Sequence, residues 1–281
     1  MPLTSLSRCR GLVFMIHGYM EHSGVPYYDT LATMLVGLGC YVFIQDLVGH
    51  GMSEGGRANV KTFDDYLDDI LFHVDKTRRK FSRKAVYLIG HSMGGTLALM
   101  AAQKRVHDFA GIIIVSPLIA PSKELAPWYK RTTTKILGRL VPGMPVAALD
   151  LTLLTRDANV VSWQRNDPLR YKGHIPVGWA AAGVVALENL HKKAHLVQAP
   201  LLVQVGAADK ICAPAATEEF FQTVHSSDKT FKVYPGAYHN ILAEIEGVPE
   251  KAFQDIADWM AARLPPESAT PSLDLSQSSK Q

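Results

Sequence analysis

Gly90-His91-Ser92-Met93-Gly94 stands directly between the apolar run Ala85-Val86-Tyr87-Leu88-Ile89 and the helix-like run Thr96-Leu97-Ala98-Leu99-Met100-Ala101-Ala102. A chain that passes from strand to helix in so few residues forces the residue at the turn into a strained backbone, and glycines two positions to either side leave room for it. Ser92 is the residue at that apex, with its hydroxyl clear of the sheet edge and the first N–H groups of the helix pointing at any anion formed nearby. The bare five-residue pattern arises by chance in roughly one chain in ten of this length, so the strand before it and the helix after it carry the inference.

Short β-branched or aliphatic runs recur at 12–16, 41–45, 85–89, 111–115, 201–205 and 230–234. Between most of them, 27–38, 63–80, 96–106, 215–224 and 250–264 have apolar residues at three- and four-residue spacing, which predicts helices. Strands alternating with helices specify a mostly parallel sheet covered on both faces. At 281 residues and 47% apolar content, one domain over 1–264 accounts for the chain. The exception to the alternation is 120–189, where no convincing strand is found; about 118–172 is expected to be a helical cap inserted over the site. The Pro- and Ser-rich 265–281 is expected to be a disordered tail.

Net charge is +3 with acids and bases scattered, which excludes a continuous nucleic-acid-binding face. The sequence pI near 8.7 still permits attraction to anionic lipid. Three cysteines, Cys9, Cys40 and Cys212, are an odd number without metal-ligand spacing, pointing to a reducing compartment. No apolar run reaches the roughly 18 residues that span a bilayer, and Met-Pro-Leu-Thr-Ser-Leu-Ser-Arg at the start lacks a signal-peptide apolar region. The expected location is cytoplasmic, with any membrane contact peripheral. His17, His22, His50 and His91 show no metal-binding spacing, and no metal or organic cofactor is expected.

A serine hydroxyl is a poor nucleophile at neutral pH and needs a histidine base, which in turn needs an acid to fix its tautomer. In open α/β sheets such groups sit just past the carboxyl ends of strands. Asp209 follows the run 201–205 and His239 follows 230–234, so Ser92, Asp209 and His239 are the expected catalytic residues, in a chain order known for such sites. Asp150, Asp157 and Asp167 compete for the acid's place but follow no strand. Charge developing on a carbonyl oxygen calls for two preorganised N–H donors. Met93 supplies one; Tyr19, in the loop after 12–16, is assigned as the other, with Met20 the nearest alternative.

His17-Gly18…Glu21-His22-Ser23-Gly24, Asp46…Gly49-His50-Gly51…Ser53-Glu54-Gly55, Gly90-His91-Ser92-Met93-Gly94-Gly95, Asp209-Lys210-Ile211-Cys212 and Tyr234-Pro235-Gly236-Ala237-Tyr238-His239 together resemble the monoacylglycerol lipases of the serine α/β-hydrolase superfamily. The resemblance runs from about Gly11 to Leu264. It implies an α/β-hydrolase fold, hydrolysis of 1- and 2-monoacylglycerols to fatty acid and glycerol, and no cofactor. Against the family pattern, Tyr19-Met20 replaces Ala-Gly, Val25 replaces an arginine, and Leu242 replaces a second histidine. A bulky side chain thus enters the oxyanion loop, a permissive glycine is lost, and polar contacts to the glycerol end are weakened or rearranged. The family also carries the first sheet strands in some thirty or more residues before the strand near Leu12, which Met1–Arg10 cannot supply.

In the cap, Trp128-Tyr129-Lys130-Arg131 and Lys135-Ile136-Leu137-Gly138-Arg139-Leu140-Val141 interleave bases with bulky apolar residues, as a segment lying in a lipid interface would. Packing of the same helix on the main domain explains the pattern equally well. Leu118, Ile119, Leu149, Leu151, Leu153, Leu154, Val184, Val185 and Leu187 suit either an acyl tunnel or ordinary core. Cys212 is an inert buried thiol or, alternatively, an oxidation-sensitive group at the acyl site. The expected partners are a monoacylglycerol or related lipid ester, a membrane surface reached through the cap and no nucleic acid; the sequence leaves a homodimer open. Lysophospholipase or broad carboxylesterase activity, and a catalytically silent lipid-binding protein, remain as alternatives.

Overall fold

The computed structural model describes residues 9–81, 84–122 and 130–266. In chain order it holds β1 (Gly11–Ile16), α1 (Pro26–Gly37), β2 (Cys40–Ile44), α2 (Phe63–Lys80), β3 (Val86–His91), α3 (Met93–Lys104), β4 (Gly111–Val115), α4 (Lys130–Leu140), β5 (Pro145–Ala147), α5 (Ala158–Asn166), β6 (Ile175–Pro176), α6 (Val177–Lys192), β7 (Leu201–Gly206), α7 (Pro214–Thr223), β8 (Lys229–Tyr234) and α8 (Val248–Ala261). All six predicted strands are present and pair in the order β2-β1-β3-β4-β7-β8. Every pairing in that sheet is parallel.

Because successive side chains of a strand point to opposite faces, each central strand feeds two cores. Leu12, Phe14 and Ile16 of β1, with Leu88, Ile112, Ile114 and Val203, pack under α2, α3 and part of α6. Val13 and Met15, with Ile89, Ile113 and Leu202, pack under α1 and α8. Burial on both faces explains why these strands are near-continuous aliphatic runs. At one edge, β2 is only half-buried from Tyr41 to Ile44.

Local chemistry sets the helix ends. The Thr62 side chain accepts from Asp64 N–H, and Asp65 reaches back to Thr62 N–H, capping α2; Asp64 and Asp65 in its first turn and Arg78, Arg79 and Lys80 in its last suit the macrodipole. The pattern placed the next helix from residue 96, whereas α3 begins at Met93, so the turn between strand and helix is a single residue. Prolines open α1 and α7 at their first positions, where a missing N–H costs nothing.

The segment between β4 and β7 corrects one expectation. Within 120–189, β5 and β6 form a short antiparallel pair, too brief to leave a periodic signal. α6 lies beyond the expected 118–172 boundary but packs along α4, where a Cβ on Gly138 would run into Ala181 and Lys135 Nζ lies 2.7 Å from Glu188. Among the described residues no helix is long and apolar enough to cross a membrane. Of the expected tail 265–281, residues 267–281 lie outside the described residues.

Candidate active site

β1, β3, β7 and β8 end at one rim of the sheet, and four loops leave there. Ile16 pairs with Gly90, so the loop that follows β1 emerges beside the turn that follows β3. Gly206 pairs with Tyr234, setting the loops after β7 and β8 side by side. Ala207 N–H donates to Tyr234 O at 3.0 Å and Ala208 N–H to Ala237 O at 2.9 Å, tying those two loops together.

Ser92 occupies the apex with φ 53° and ψ −118°, a conformation L-residues rarely adopt. Its N–H donates to Val115 O at 2.9 Å. A Cβ on Gly90 would meet the carbonyl oxygen of Gly94, and one on Gly94 would meet that of Ile16. Both glycines are therefore dictated by close backbone approach, as the sequence pattern requires.

The structure brings the three expected side chains together. Ser92 Oγ lies 2.9 Å from His239 Nε2, and Asp209 Oδ2 lies 2.7 Å from His239 Nδ1. Asp209 Oδ1 accepts from Ile211 N–H at 2.7 Å and Cys212 N–H at 3.0 Å, which fixes the carboxylate. Hydrogen-bond logic then assigns the tautomer: Nδ1–H donates to Asp209, and Nε2 accepts from the serine hydroxyl. Burial of the ring disfavours its charge, but the facing Asp209 carboxylate outweighs it and raises the pKa well above 6.5.

The three competing aspartates have other work. Asp150 and Asp157 cap short helices through their side chains. Asp167 lies 2.6 Å from His22 Nε2, tying the segment after α5 to the loop after β1.

That loop is held from several directions. Leu47 N–H donates to His17 Nε2 at 3.0 Å, so His17 Nδ1–H donates to Gly18 O at 2.8 Å. Glu21, buried, accepts from Gly18 N–H at 2.9 Å and from the hydroxyls of Tyr27 at 2.6 Å and Tyr28 at 2.8 Å; His91 Nδ1 lies 3.2 Å away. Burial pushes the Glu21 pKa up, but His91, Arg170 and the Tyr27 hydroxyl hold it well below the usual carboxylate range. Asp46 accepts from Ser23 N–H and Met52 N–H, both at 2.7 Å. Met20 takes φ 63°, so the backbone keeps the left-handed turn at a position where the resemblance leads one to expect glycine, at a cost of about 1 kcal/mol. Met93 is the first residue of α3, leaving its N–H without a partner in the helix.

Glu244 carried no sequence signal. Its fully buried side chain accepts from Tyr238 N–H at 2.9 Å, Ile245 N–H at 2.9 Å and Arg156 Nε at 3.0 Å. It therefore anchors the backbone next to His239 and links it to the segment before α5.

Asp209, Cys212 and His239 each offer one atom that could bind a metal ion, all within 4.8 Å of one another. Two of the three already bond each other, and burial pushes the Cys212 thiol up, so it is not a ready thiolate ligand or nucleophile. Cys9 and Cys40 are also free and buried. Of the residues expected to suit an acyl tunnel, Ile119 and Leu154 are buried, whereas Val185 is exposed. Val185 instead borders a groove of about 550 Å³ between α2, α3, α4 and α6, whose lining includes none of Ser92, Asp209 and His239.

A parallel sheet, a serine on a strained strand-to-helix turn and an imidazole bridging it to a carboxylate define a serine hydrolase of the α/β-hydrolase fold. The family model described as serine aminopeptidase, S33 (Hydrolase_4) matches residues 7–246, and the chain belongs to that family. It is 34% identical to the monoglyceride lipase of Homo sapiens over 254 residues, covering 90% of this chain and 83% of the human protein. The monoacylglycerol lipase of Mycolicibacterium smegmatis is 29% identical, with 91% and 89% covered. Among solved structures, the Paleococcus ferrophilus monoacylglycerol lipase superposes with a TM-score of 0.82 at 31% identity, covering 90% of this chain and 95% of that one.

Proposed function

We propose that this chain hydrolyses monoacylglycerols to fatty acid and glycerol through an acyl-enzyme on Ser92. The contacts of 2.9 Å and 2.7 Å that join Ser92, His239 and Asp209 carry the reading. His239 takes the hydroxyl proton as Ser92 Oγ attacks the ester carbonyl, and Asp209 stabilises the imidazolium that forms. The Tyr19 and Met93 N–H groups receive the developing oxyanion, with Met20 N–H the nearest substitute for Tyr19. His239 then hands the proton to the departing glycerol oxygen, and water repeats the sequence in reverse to release the fatty acid.

His239 must be neutral to act as base, and its pKa is raised. kcat/KM is therefore expected to climb with pH along an acid limb whose midpoint lies above 6.5. Asp209→Asn should lower both the rate and that midpoint, because the charge favouring the imidazolium is gone. A wild-type midpoint at or below 6.5 would contradict this.

The substrate class is supported by the relatives named as monoglyceride or monoacylglycerol lipases. Residues 118–172 are read as the cap over the site. In and after α4, Ile136, Leu140, Val141, Met144 and Val146 are exposed alongside Arg139, an arrangement that suits a lipid interface with the guanidinium near anionic headgroups. The side chains of 128–131 lie outside the described residues. This reading places the protein at the surface of a membrane from the cytoplasmic side.

One assay tests both levels. Rates are compared on a long-chain monoacylglycerol, a lysophospholipid and a short aryl ester, each presented in neutral micelles and in vesicles containing anionic lipid. The Bacillus subtilis relative named phospholipase YtpA, 29% identical with 84% of this chain covered, motivates the lysophospholipid arm. The highest kcat/KM is expected on the monoacylglycerol, with a further rise on anionic vesicles. Preference for either other ester would reassign the substrate, binding without turnover would make the chain a lipid carrier, and no gain on vesicles would remove the membrane contact.

A further inference from the structure

We propose that the Tyr19 side chain and Trp179 form a positioning pair, by which α6 clamps the loop that presents the Tyr19 N–H to the oxyanion. The inference rests on the reading of that loop given under the proposed function and extends it to residues outside the site. Its starting point is the departure from the family pattern at two adjacent positions. Met20 keeps a left-handed backbone at φ 63° without being glycine, so the loop's shape is imposed rather than intrinsically preferred. Something must over-determine it.

Tyr19 is placed to do so. Its ring stacks on Trp179 with centroids 3.7 Å apart and planes 23° from parallel. The His50 ring meets it edge-on at 5.6 Å. Its hydroxyl donates to Ala58 O at 2.7 Å, and Ala58, buried at φ 48°, donates its own N–H to Gly49 O at 3.0 Å. The ring is thus gripped on its face by α6 and at its tip by the loop that precedes α2. Trp179 is buried and packs in turn against Phe63 at 5.6 Å, so its ring has little freedom. Alanine, which the family pattern places here, would make none of these contacts.

The consequence for the reaction is specific. A backbone N–H stabilises an oxyanion only when it is fixed in place before charge develops, and a misplacement of about 1 Å can cost a hundredfold in rate. Ground-state binding of the acyl chain does not depend on that donor. Loosening the clamp should therefore fall on kcat and leave KM nearly unchanged.

The test uses the full-length chain with Tyr19→Ala, Tyr19→Leu, Tyr19→Phe, Trp179→Ala, Trp179→Phe and the double Tyr19→Ala/Trp179→Ala variant. Steady-state kinetics on a monoacylglycerol, affinity for an alkyl boronic acid that mimics the tetrahedral state, and thermal unfolding are read on each. The alanine variants and Tyr19→Leu should lose about ten- to a hundredfold in kcat with KM within about threefold, and boronate affinity should fall in parallel. The aromatic replacements should recover most of the loss, and the double variant should be no worse than either single one, because both remove one contact. Unchanged kcat in folded Tyr19→Leu, or in Trp179→Ala together with Tyr19→Ala, losses that multiply in the double variant, or a change in KM alone would overturn the clamp. Labelling of Ser92 in the wild-type chain by a fluorophosphonate is measured alongside. Failure to label defeats the functional reading itself, whereas normal labelling with indifferent Tyr19 and Trp179 variants defeats only the clamp.

Discussion

Ser92→Ala is expected to lower ester hydrolysis by about five to six orders of magnitude and to abolish labelling by a fluorophosphonate probe. The hydroxyl is the only group the proposed route has for forming the acyl-enzyme. What remains should be the small acceleration that binding and oxyanion donors give to attack by water. Ser92→Gly should be equally inactive yet more stable. At φ 53° and ψ −118° serine bears a strain that glycine does not, and relief of about 1 kcal/mol exceeds the loss of one hydrogen bond to His239 that water can replace. In a chain of this size that gain corresponds to a rise in Tm of about 2 °C. Mass spectrometry of the probe adduct and differential scanning calorimetry read the two effects separately. Persistent labelling of Ser92→Ala would remove Ser92 from the mechanism, and a lower Tm for Ser92→Gly would show that the turn is not strained.

Glu244→Ala should destabilise the fold by about 3 kcal/mol, with Tm falling by roughly 6 to 10 °C. Removing it takes the acceptor from Tyr238 N–H, Ile245 N–H and Arg156 N–H together. Arg156→Ala should cost about 1 kcal/mol or less, because its side chain is partly exposed and Glu244 would keep its backbone donors. The asymmetry separates an anchoring role from a simple ion pair, for which the two losses would be alike. Activity at low temperature should survive in part and decay faster on heating, since Tyr238 adjoins His239. Chemical denaturation of both variants, with residual turnover followed over time, decides the matter.

The sheet was legible in the sequence because its central strands are buried on both faces and so cannot hide their aliphatic runs. The same holds for the turn at Ser92, where backbone crowding admits only Gly90 and Gly94. Asp209 and His239 were found by their places after strands, a topological argument that needs no contact information. Glu21, Glu244 and the His22–Asp167 pair were not found as structural anchors. Each works by meeting partners that lie on other elements or are backbone N–H groups, and neither leaves a periodic trace. The strand pair β5 and β6 escaped because two or three residues are too few to alternate. Met20 shows a different limit: sequence reasoning saw the glycine lost, while the structure retains the glycine-like backbone and braces it through Tyr19.

His239 lies 147 residues from Ser92 and 30 from Asp209. Contacts between such distant positions form only when long stretches of chain have already been closed into loops, so they mature late in folding. A fragment ending before β8 would hold hydroxyl and carboxylate without the imidazole between them. Turnover in this protein is thus a proxy for completed tertiary assembly: helices that form on their own contribute nothing measurable until β8 has joined the sheet.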